Sequence, residues 1–350
     1  MTLKEIAQKA GVSVSTVSRV INNNNSKAAS KEVQERIWQI VRETGYTPNL
    51  SAKSLQKGTS APINTHSLAC LFARTPDSPN DPFFSSLARS VETAAYQQNY
   101  LVKSSFTAFD LDKPGASPML MDPSINGVAV LGRIDKAGLK TLKQYFRYVA
   151  YTGLNEINAK YDQILCSGYQ ASITAVEHLI GLGHRHIGYI GETDNETRYN
   201  GYKDTLEKHR LPCNATYVSS VPQTSGGGLK GALQLLERQP LITAIFCSND
   251  VTAIGAMRAI RDRGLKIPRD ISVISIDDID TAQYLSPMLT TVHVPIEEMG
   301  QMTAKILIDR ITGGHTLPMK IFLPFYLSQR ERPLFSPIVA DFYSGMEVTV

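Results

Sequence analysis

Residues 2–22 read TLKEIAQKAGVSVSTVSRVIN, and this stretch decides the fold of the amino-terminal part of the chain. Thr2 and Glu5 form a capping-box pattern, in which a hydroxyl and a carboxylate satisfy the free amides at a helix start. Gly11 is typical of a helix end. Ser13 can cap a second helix, whose apolar stripe consists of Val14, Val17, Val20 and Ile21. The stretch therefore predicts two short helices joined by a Gly-containing turn, which is a helix-turn-helix.

A third helix is predicted from Ser30 to Gly45, because four apolar residues there share one face: Val33, Ile37, Ile40 and Val41. Three helices around one small core hold the second helix outward. The outer and leading surface of that helix carries Val14, Ser15, Thr16, Ser18, Arg19 and Asn22. Arginine bonds guanine edges, serine and threonine reach bases or phosphates, and valine contacts the thymine methyl group. The mix suits a DNA major groove, although a plain amphipathic helix is compatible with the same residues.

The positive charge of the chain is concentrated in this segment. Residues 1–58 hold nine basic and four acidic side chains, a net charge of +5, whereas the remainder holds 27 basic and 28 acidic ones, a net charge of −1. A basic head on a neutral body is the pattern expected of a nucleic-acid-binding protein. A merely soluble pair of basic helices would give the same charge.

Four linked motifs carry a family resemblance: residues 2–7 (TLKEIA), 10–13 (AGVS), 16–22 (TVSRVIN) and 45–49 (GYTPN). In order and spacing they resemble the head of the LacI/GalR family of bacterial transcription regulators. The resemblance implies that Val14 and Ser15 decide which operator is read, and that Ser18, Arg19 and Asn22 contact the groove and phosphates. The other DNA contacts implied are Thr2, Leu3, Thr16, Ser30 and Asn49.

Residues 49–57 read NLSAKSLQK, a length that gives about two turns of helix, which is marginal alone in water. In the family this segment is a hinge helix that orders on DNA and inserts a leucine between base steps of the minor groove. The resemblance puts Leu55 at the wedge position and Ala52 where paired hinges approach each other. An ordinary interdomain linker is the alternative interpretation.

From Ser67 onward, short apolar strands alternate with amphipathic helices, which predicts a parallel α/β sheet. The strand candidates are Leu68–Ala73, Gly127–Leu131, Tyr148–Tyr151, His186–Ile190, Ala244–Cys247 and Ile271–Ile276. The helix candidates are Phe84–Gln98, Tyr169–Leu182, Gly226–Arg238 and Asp250–Arg263. The pattern runs once near 62–161 and again near 163–290, which suggests two similar lobes with a cleft between them.

Core motifs, among them residues 254–260 (IGAMRAI) and 289–292 (LTTV), also resemble the family. We therefore expect a small all-α helix-turn-helix head plus an α/β core of two Rossmann-like lobes, periplasmic-binding-protein-like. The expected domains are a head (1–46), a hinge helix and linker (47–60), a core (61–332) and a tail (333–350). Within the core, the first lobe takes about 61–161 and 293–322, and the second about 163–290 and 323–332. The tail has no leucine heptad, so a homodimer is expected rather than a coiled-coil tetramer.

Polar residues at predicted strand ends indicate a ligand site, because open α/β sheets bind ligands beyond the carboxyl ends of their strands. Carboxylates, amides and guanidinium groups suit sugar hydroxyls. By resemblance, Arg198, Asn249 and Asp277 match the main effector contacts of the family. Each has a structural alternative: Asp277 can cap a turn, Asn249 can cap the helix from Asp250, and Arg198 can pair with an acidic neighbour.

Two phenylalanines, Phe83 and Phe84, follow the first strand of the first lobe and are candidates for an apolar wall against a sugar face, or for simple core. Two positions depart from the family. Thr152 stands after the strand Tyr148–Tyr151, where an aspartate is frequent, and no aromatic residue lies near Val221. The only tryptophan, Trp38, lies in the head.

Other classes of protein fit the sequence less well. No nucleophile–base pair, GxSxG or Walker loop accompanies Asp277-Asp278, so an enzyme is not expected. The four scattered cysteines indicate reduced thiols without a metal site, and no cofactor is expected. An extracytoplasmic sugar receptor would share the core, but residues 1–9 do not resemble a signal peptide and no membrane span is expected. We expect a cytoplasmic bacterial protein, associated with the nucleoid when bound.

The sequence predicts a repressor of sugar-utilisation genes. Its core has a faint resemblance to the galactoside-responsive branch of the family. The partners expected are a near-palindromic double-stranded DNA operator and a small sugar bound between the two core lobes. Sugar binding would release the repressor from its operator.

Overall fold

A computed structural model of the chain describes residues 2–23, 29–44, 66–74, 80–108, 122–239 and 241–330, without the side chains of residues 22, 23 and 42. The hinge residues Asn49, Ala52 and Leu55 and the tail 333–350 lie outside the described residues. No helix of the described part is long and apolar enough to cross a membrane.

The amino-terminal head consists of three helices, α1 (Leu3–Ala10), α2 (Val14–Asn23) and α3 (Lys31–Thr44). The capping box is present, since Glu5 N donates to Thr2 Oγ1 and Thr2 N donates to Glu5 Oε2. Gly11 ends α1 at a φ of +67°, and Ser13 Oγ accepts from Thr16 N at the start of α2. The three helices bury a common core: Ile6, Ala7, Ala10, Val17, Val20, Ile21, Ile37, Trp38, Ile40 and Val41.

The first lobe contains a six-stranded sheet with the order β11-β5-β4-β3-β1-β2. Its strands are β1 (His66–Phe72), β2 (Tyr100–Thr107), β3 (Ile125–Leu131), β4 (Val149–Gly153), β5 (Asp162–Leu165) and β11 (Lys320–Phe322). Its helices are α4 (Pro82–Gln97), α5 (Lys136–Tyr145) and α10 (Ile296–Thr312). All of these strands pair in parallel, so their carboxyl ends lie at one edge of the lobe.

The second lobe repeats this order as β12-β10-β9-β8-β6-β7. Its strands are β6 (Ile187–Gly191), β7 (Val218–Ser220), β8 (Ala244–Cys247), β9 (Ser272–Asp277), β10 (Thr290–His293) and β12 (Tyr326–Ser328). Its helices are α6 (Gly168–Gly181), α7 (Thr197–Lys208), α8 (Ser225–Arg238) and α9 (Asp250–Asp262). Only β12 runs antiparallel among these described strands.

The chain passes between the lobes at three places, after β5, after β10 and between β11 and β12. These crossings make α10 and β11 part of the first lobe, although they follow the second lobe in sequence. The head and the two-lobed parallel α/β core agree with the fold class expected from the sequence.

Glycine-rich helix starts in the second lobe serve close packing. A Cβ atom on Gly255 would lie 1.9 Å from the carbonyl oxygen of Ser225, and one on Gly228 would lie 1.9 Å from that of Thr252. Helices α8 and α9 therefore touch through their backbones. This contact accounts for Gly228, the last glycine of the run at 226–228.

The strand predicted over Tyr148–Tyr151 extends to Gly153, and this corrects the interpretation of Thr152. Thr152 lies inside β4 with its side chain fully buried, rather than at the ligand-facing end of the strand. Leu154 and Asn155, which follow β4, lie at the ligand-facing end of the strand instead.

Candidate functional site

A cleft lies between the carboxyl ends of the strands of the two lobes and encloses about 430 Å³ of empty space, including its mouth. The first lobe lines it with Arg74, Asp81, Phe83, Phe84, Gly132, Arg133, Gly153, Leu154 and Asn155. The second lobe lines it with Glu196, Arg198, Asn249 and Asp277. All five sequence-predicted effector residues therefore line one cleft.

Arg198, near the start of α7, is buried and held by groups of its own lobe. Its Nε and Nη2 donate to the two carboxylate oxygens of Glu196, Nη2 also donates to Gln223 Oε1, and Nη1 donates to the carbonyl oxygen of Ser248, each at 2.8 Å. Burial alone would raise the pKa of Glu196, but Arg198 outweighs it and holds that pKa at about 2. Four of the five N–H groups of Arg198 are thus occupied, and one on Nη1 is left for a ligand.

Asn249 caps α9, since its Oδ1 accepts from Thr252 N at 3.1 Å and from Thr252 Oγ1 at 2.5 Å. The side-chain nitrogen is therefore the part of Asn249 that can serve a ligand. The next residue, Asp250, faces inward and accepts from Ser275 Oγ and Thr291 Oγ1, each at 2.6 Å. Burial raises the pKa of Asp250 to about 6.

Asp277 ends β9 with a φ of +137°, a backbone conformation that costs a non-glycine residue energy. Its side chain is 3% exposed, and burial, reinforced by Asp250, raises its pKa well above the ordinary value. A carboxyl group of this kind can donate as well as accept hydrogen bonds. Asp278 points elsewhere and pairs with Arg330 Nη2 and, at 3.0 Å, with His293 Nδ1.

Phe83 and Phe84 open helix α4 and meet edge to face, with ring centroids 5.1 Å apart. Both are buried, and both line the cleft as well as the first-lobe core, so the two interpretations of these residues are compatible. Gly132 makes room for them, because a Cβ atom there would lie 2.6 Å from the Phe84 ring.

Arg133 reaches from the end of β3 across the cleft to the loop between β6 and α7. Its Nη1 donates to the carbonyl oxygens of Asp194 at 3.1 Å and Asn195 at 2.6 Å, and its Nη2 pairs with Glu192. This set of contacts is called the interlobe latch below.

Asn155, which follows β4, adds two bonds to the latch. Its Nδ2 donates to the carbonyl oxygen of Asn195 at 3.2 Å, and its Oδ1 accepts from Thr197 Oγ1 at 2.6 Å. The lobes are therefore joined by protein contacts on one side of the cleft.

Sequence reasoning missed Arg74, Arg133, Asn155 and Glu196 as cleft residues and Glu192 as the partner of Arg133. A signal was available, since Arg74, Arg133 and Glu192 each stand one or two residues after a strand end. The patterns that identify strands do not say which neighbouring residue turns toward the cleft.

The face of α2 that the sequence assigns to DNA is solvent-accessible in the head. Val14 is 43% exposed, and Ser15 and Arg19 are also exposed. Ser15 and Thr16 each share a hydrogen bond of 2.8 Å with Ser13 Oγ. Thr16 and Ser18 are half-buried.

The remaining proposed DNA contacts of the head lie at helix starts or outside the described side chains. Thr2 caps α1, Leu3 begins it, and Ser30 Oγ accepts from Val33 N at 3.4 Å at the start of α3. The side chain of Asn22 is outside the described set.

The histidines at the entry of β6 have structural partners. His184 bonds Thr243 Oγ1 and Ser272 Oγ, each at 2.9 Å, and His186 bonds Tyr217 Oη at 2.6 Å. Among the described residues, no group of three or more His, Cys, Asp or Glu side chains could hold a metal ion.

Two family models match the chain. One is described as "Bacterial regulatory proteins, lacI family" and matches residues 2–49, and the other as "Periplasmic binding protein-like domain" and matches residues 176–331. These segments contain the helix-turn-helix and most of the second lobe.

Full-length relatives are similar over nearly the whole chain. The HTH-type transcriptional repressor MelR of Bacillus subtilis (strain 168) is 32% identical over 344 residues, 94% of this chain and 96% of that protein. The HTH-type transcriptional repressor PurR of Haemophilus influenzae (strain PittEE) is 31% identical over 317 residues, 89% of this chain and 91% of that protein. A solved "transcriptional regulator CelR-cellobiose complex" has a TM-score of 0.70 at 26% identity, with 95% of this chain and 99% of that chain covered.

Proposed function

The chain belongs to the LacI family of bacterial regulatory proteins and is a DNA-binding transcriptional repressor rather than an enzyme, and from this premise we propose that it represses sugar-utilisation genes. A small sugar bound between the core lobes releases it from a near-palindromic operator. The observation that carries this proposal is the cleft, in which an amide, a protonatable carboxyl and one free arginine N–H lie beside two phenylalanine rings.

The known relatives leave the effector open, since their names do not share one ligand. CelR was solved as a cellobiose complex, which supports a carbohydrate for this fold. Polar groups for hydroxyls together with Phe83 and Phe84 for the apolar face of a ring support the same class here.

On the DNA side, we propose that a homodimer sets two α2 helices into major grooves about one helical turn apart. Val14, Ser15, Thr16, Ser18, Arg19 and Asn22 make the groove contacts in this proposal, with Thr2, Leu3, Ser30 and Asn49 on the backbone. The hinge residues Ala52 and Leu55 contact the minor groove. The exposed valine on a basic head supports this assignment.

The switch follows from differential binding. An effector that prefers the closed, off-operator arrangement of the lobes shifts the equilibrium away from DNA by the ratio of its two affinities. Hinge helices of marginal stability then melt.

Selection of random duplex DNA by the purified chain, repeated with a panel of sugars, tests the proposal. We expect one near-palindromic sequence to be enriched and one sugar to abolish the enrichment. Enrichment that no sugar changes would contradict the effector part, and absence of enrichment would contradict sequence-specific repression. Asp277→Ala is expected to keep DNA affinity and lose the response to the sugar.

A further inference from the structure

Arg74 differs from the other cleft arginines in having no hydrogen-bond partner within the described residues. It follows β1 at the rim of the first lobe, and its side chain is only 10% exposed. Its Nη2 atom is fully buried and donates to nothing. By contrast, Arg198 makes four hydrogen bonds and Arg133 makes three.

The acidic groups of the cleft do not supply the missing partner. Glu192 Oε2 is 4.0 Å from Arg74 Nη2, and this oxygen already pairs with Arg133. Glu196 is bonded on both oxygens by Arg198. Asp81 caps helix α4, where its Oδ1 accepts from Phe83 N at 2.9 Å.

Asp277, the fourth acidic group, is near enough to Arg74 for that charge to lower its pKa, but burial, reinforced by Asp250, favours its neutral form. Arg74 is therefore a buried cation whose counter-charge is incomplete. Burial and repulsion by Arg198 lower its pKa by more than Glu196 and Glu192 raise it, which is the sign expected for a buried cation with incomplete compensation. Arginine stays protonated in proteins, so the charge persists.

A buried charge without a hydrogen-bond partner is costly, and proteins retain such groups where a ligand completes them. We propose that the cleft binds a ligand bearing a carboxylate or phosphate group and that Arg74 holds this group. The planar guanidinium matches two oxygens of either anion. The hydroxyl groups of the ligand then face Asn249, Asp277 and the free N–H of Arg198 in the second lobe.

This inference rests on the proposed function, because it takes the cleft as the effector site and narrows the effector to an acidic sugar. The test is calorimetric titration of the full chain, without DNA, with matched sets of sugars. Each set contains a neutral hexose or pentose, its sugar acid and its phosphate ester, for example galactose, galacturonate and galactose 6-phosphate.

We expect one acidic member to bind at least tenfold more tightly than its neutral parent, and the set identifies whether the anion is a carboxylate or a phosphate. Arg74→Met should remove this preference by lowering the affinity for the acidic member to near that of its neutral parent. A neutral parent that binds as tightly as its acidic forms would overturn the inference, as would binding by no acidic member.

A stability measurement separates a ligand-binding arginine from a scaffold arginine. Arg74→Met should raise the Tm of the ligand-free chain because it removes an uncompensated buried charge, whereas the matched Arg133→Met should lower it. If both variants lower the Tm, Arg74 is part of the scaffold and the inference is wrong.

Operator binding distinguishes the two proposals. A neutral sugar that binds and releases the operator leaves the proposed function standing and refutes the role of Arg74. An acidic sugar that binds through Arg74 without changing operator affinity supports the role of Arg74 and refutes the proposed function.

Discussion

In the second lobe, Arg198 and Asn249 bond to groups of their own lobe, whereas in the first lobe Arg133 and Asn155 bond across the cleft. The two sheets have the same strand order, so β3 corresponds to β8. Two residues beyond β8, Asn249 caps its own helix. Two residues beyond β3, Arg133 forms the interlobe latch instead. The second lobe is therefore built before a ligand arrives, and the contribution of the first lobe depends on closure.

This difference predicts that substitutions at second-lobe residues lower the free energy of unfolding. Substitutions at first-lobe residues should mainly weaken closure of the cleft. The largest effect is expected for Arg198→Met. The substitution leaves the Glu196 carboxylate buried and without its main partner, and removing one partner of a buried pair costs about 3–5 kcal/mol. Urea denaturation measures the loss of unfolding free energy.

The matched control for Arg198→Met is Arg133→Met, whose guanidinium contacts the other lobe and is more exposed. Its cost in unfolding free energy should be much smaller. Equal losses of unfolding free energy for the two variants would contradict the predicted difference between the two lobes.

A pH-dependent loss of stability is expected from His184, another second-lobe group with partners in its own lobe. Burial, with smaller contributions from His178 and Arg185, lowers the pKa of His184 to about 4, against 6.5 when unfolded. The imidazole is neutral in the fold and takes up a proton on unfolding. Its stabilising effect is therefore complete above pH 6.5 and is lost as the pH falls toward 4, by about 3 kcal/mol.

Unfolding free energies measured from pH 7.5 to 4.5 for the wild type and His184→Gln test this expectation. The variant should have the shallower pH dependence over that window. Parallel curves for the two proteins would show that His184 does not cause the loss.

The contrast between the lobes also explains how far the sequence could predict the site. Polar groups after predicted strands pointed to this edge of the sheets, and the family resemblance singled out Arg198, Asn249 and Asp277. Two of the four bonds of Arg198 go to Glu196, the kind of acidic neighbour that the sequence offered as a partner. The other two go to Gln223 and the carbonyl of Ser248, which are 25 and 50 residues away, so no local pattern could give them. Cross-lobe contacts such as those of Arg133 depend on how two separately folded units meet, which periodicity does not encode.

A smaller effect, mostly on closure, is expected for Arg133→Ala. Its Nη1 and Nη2 hold the loop from Glu192 to Asn195, and a hydrogen bond to a charged group contributes about 1.5–3 kcal/mol at most. Partial exposure reduces this value, so unfolding free energy should fall by about 1 kcal/mol. Amides 192–197 should exchange hydrogen faster, and effector affinity should fall about tenfold, or about 1.4 kcal/mol.

Hydrogen exchange with mass spectrometry, read over residues 192–197 and over β8 as an internal reference, measures the opening. Faster exchange confined to the loop would support a closure-dependent first lobe. Faster exchange in β8 as well would indicate that the latch stabilises the second lobe itself.

The smallest effect on stability is expected for Asn249→Ser, which separates the two roles of a prebuilt second-lobe residue. Serine is nearly as good a helix cap as asparagine, so the bond to Thr252 N can be kept and unfolding free energy should change by less than about 1 kcal/mol. The variant lacks the amide nitrogen that we assign to the ligand, and effector affinity should therefore fall at least tenfold while operator affinity stays constant. Fluorescence anisotropy on operator DNA and calorimetry on the effector measure the two affinities. If effector affinity is unchanged, Asn249 acts only as a cap, and the second-lobe contribution to recognition reduces to Asp277 and one N–H of Arg198.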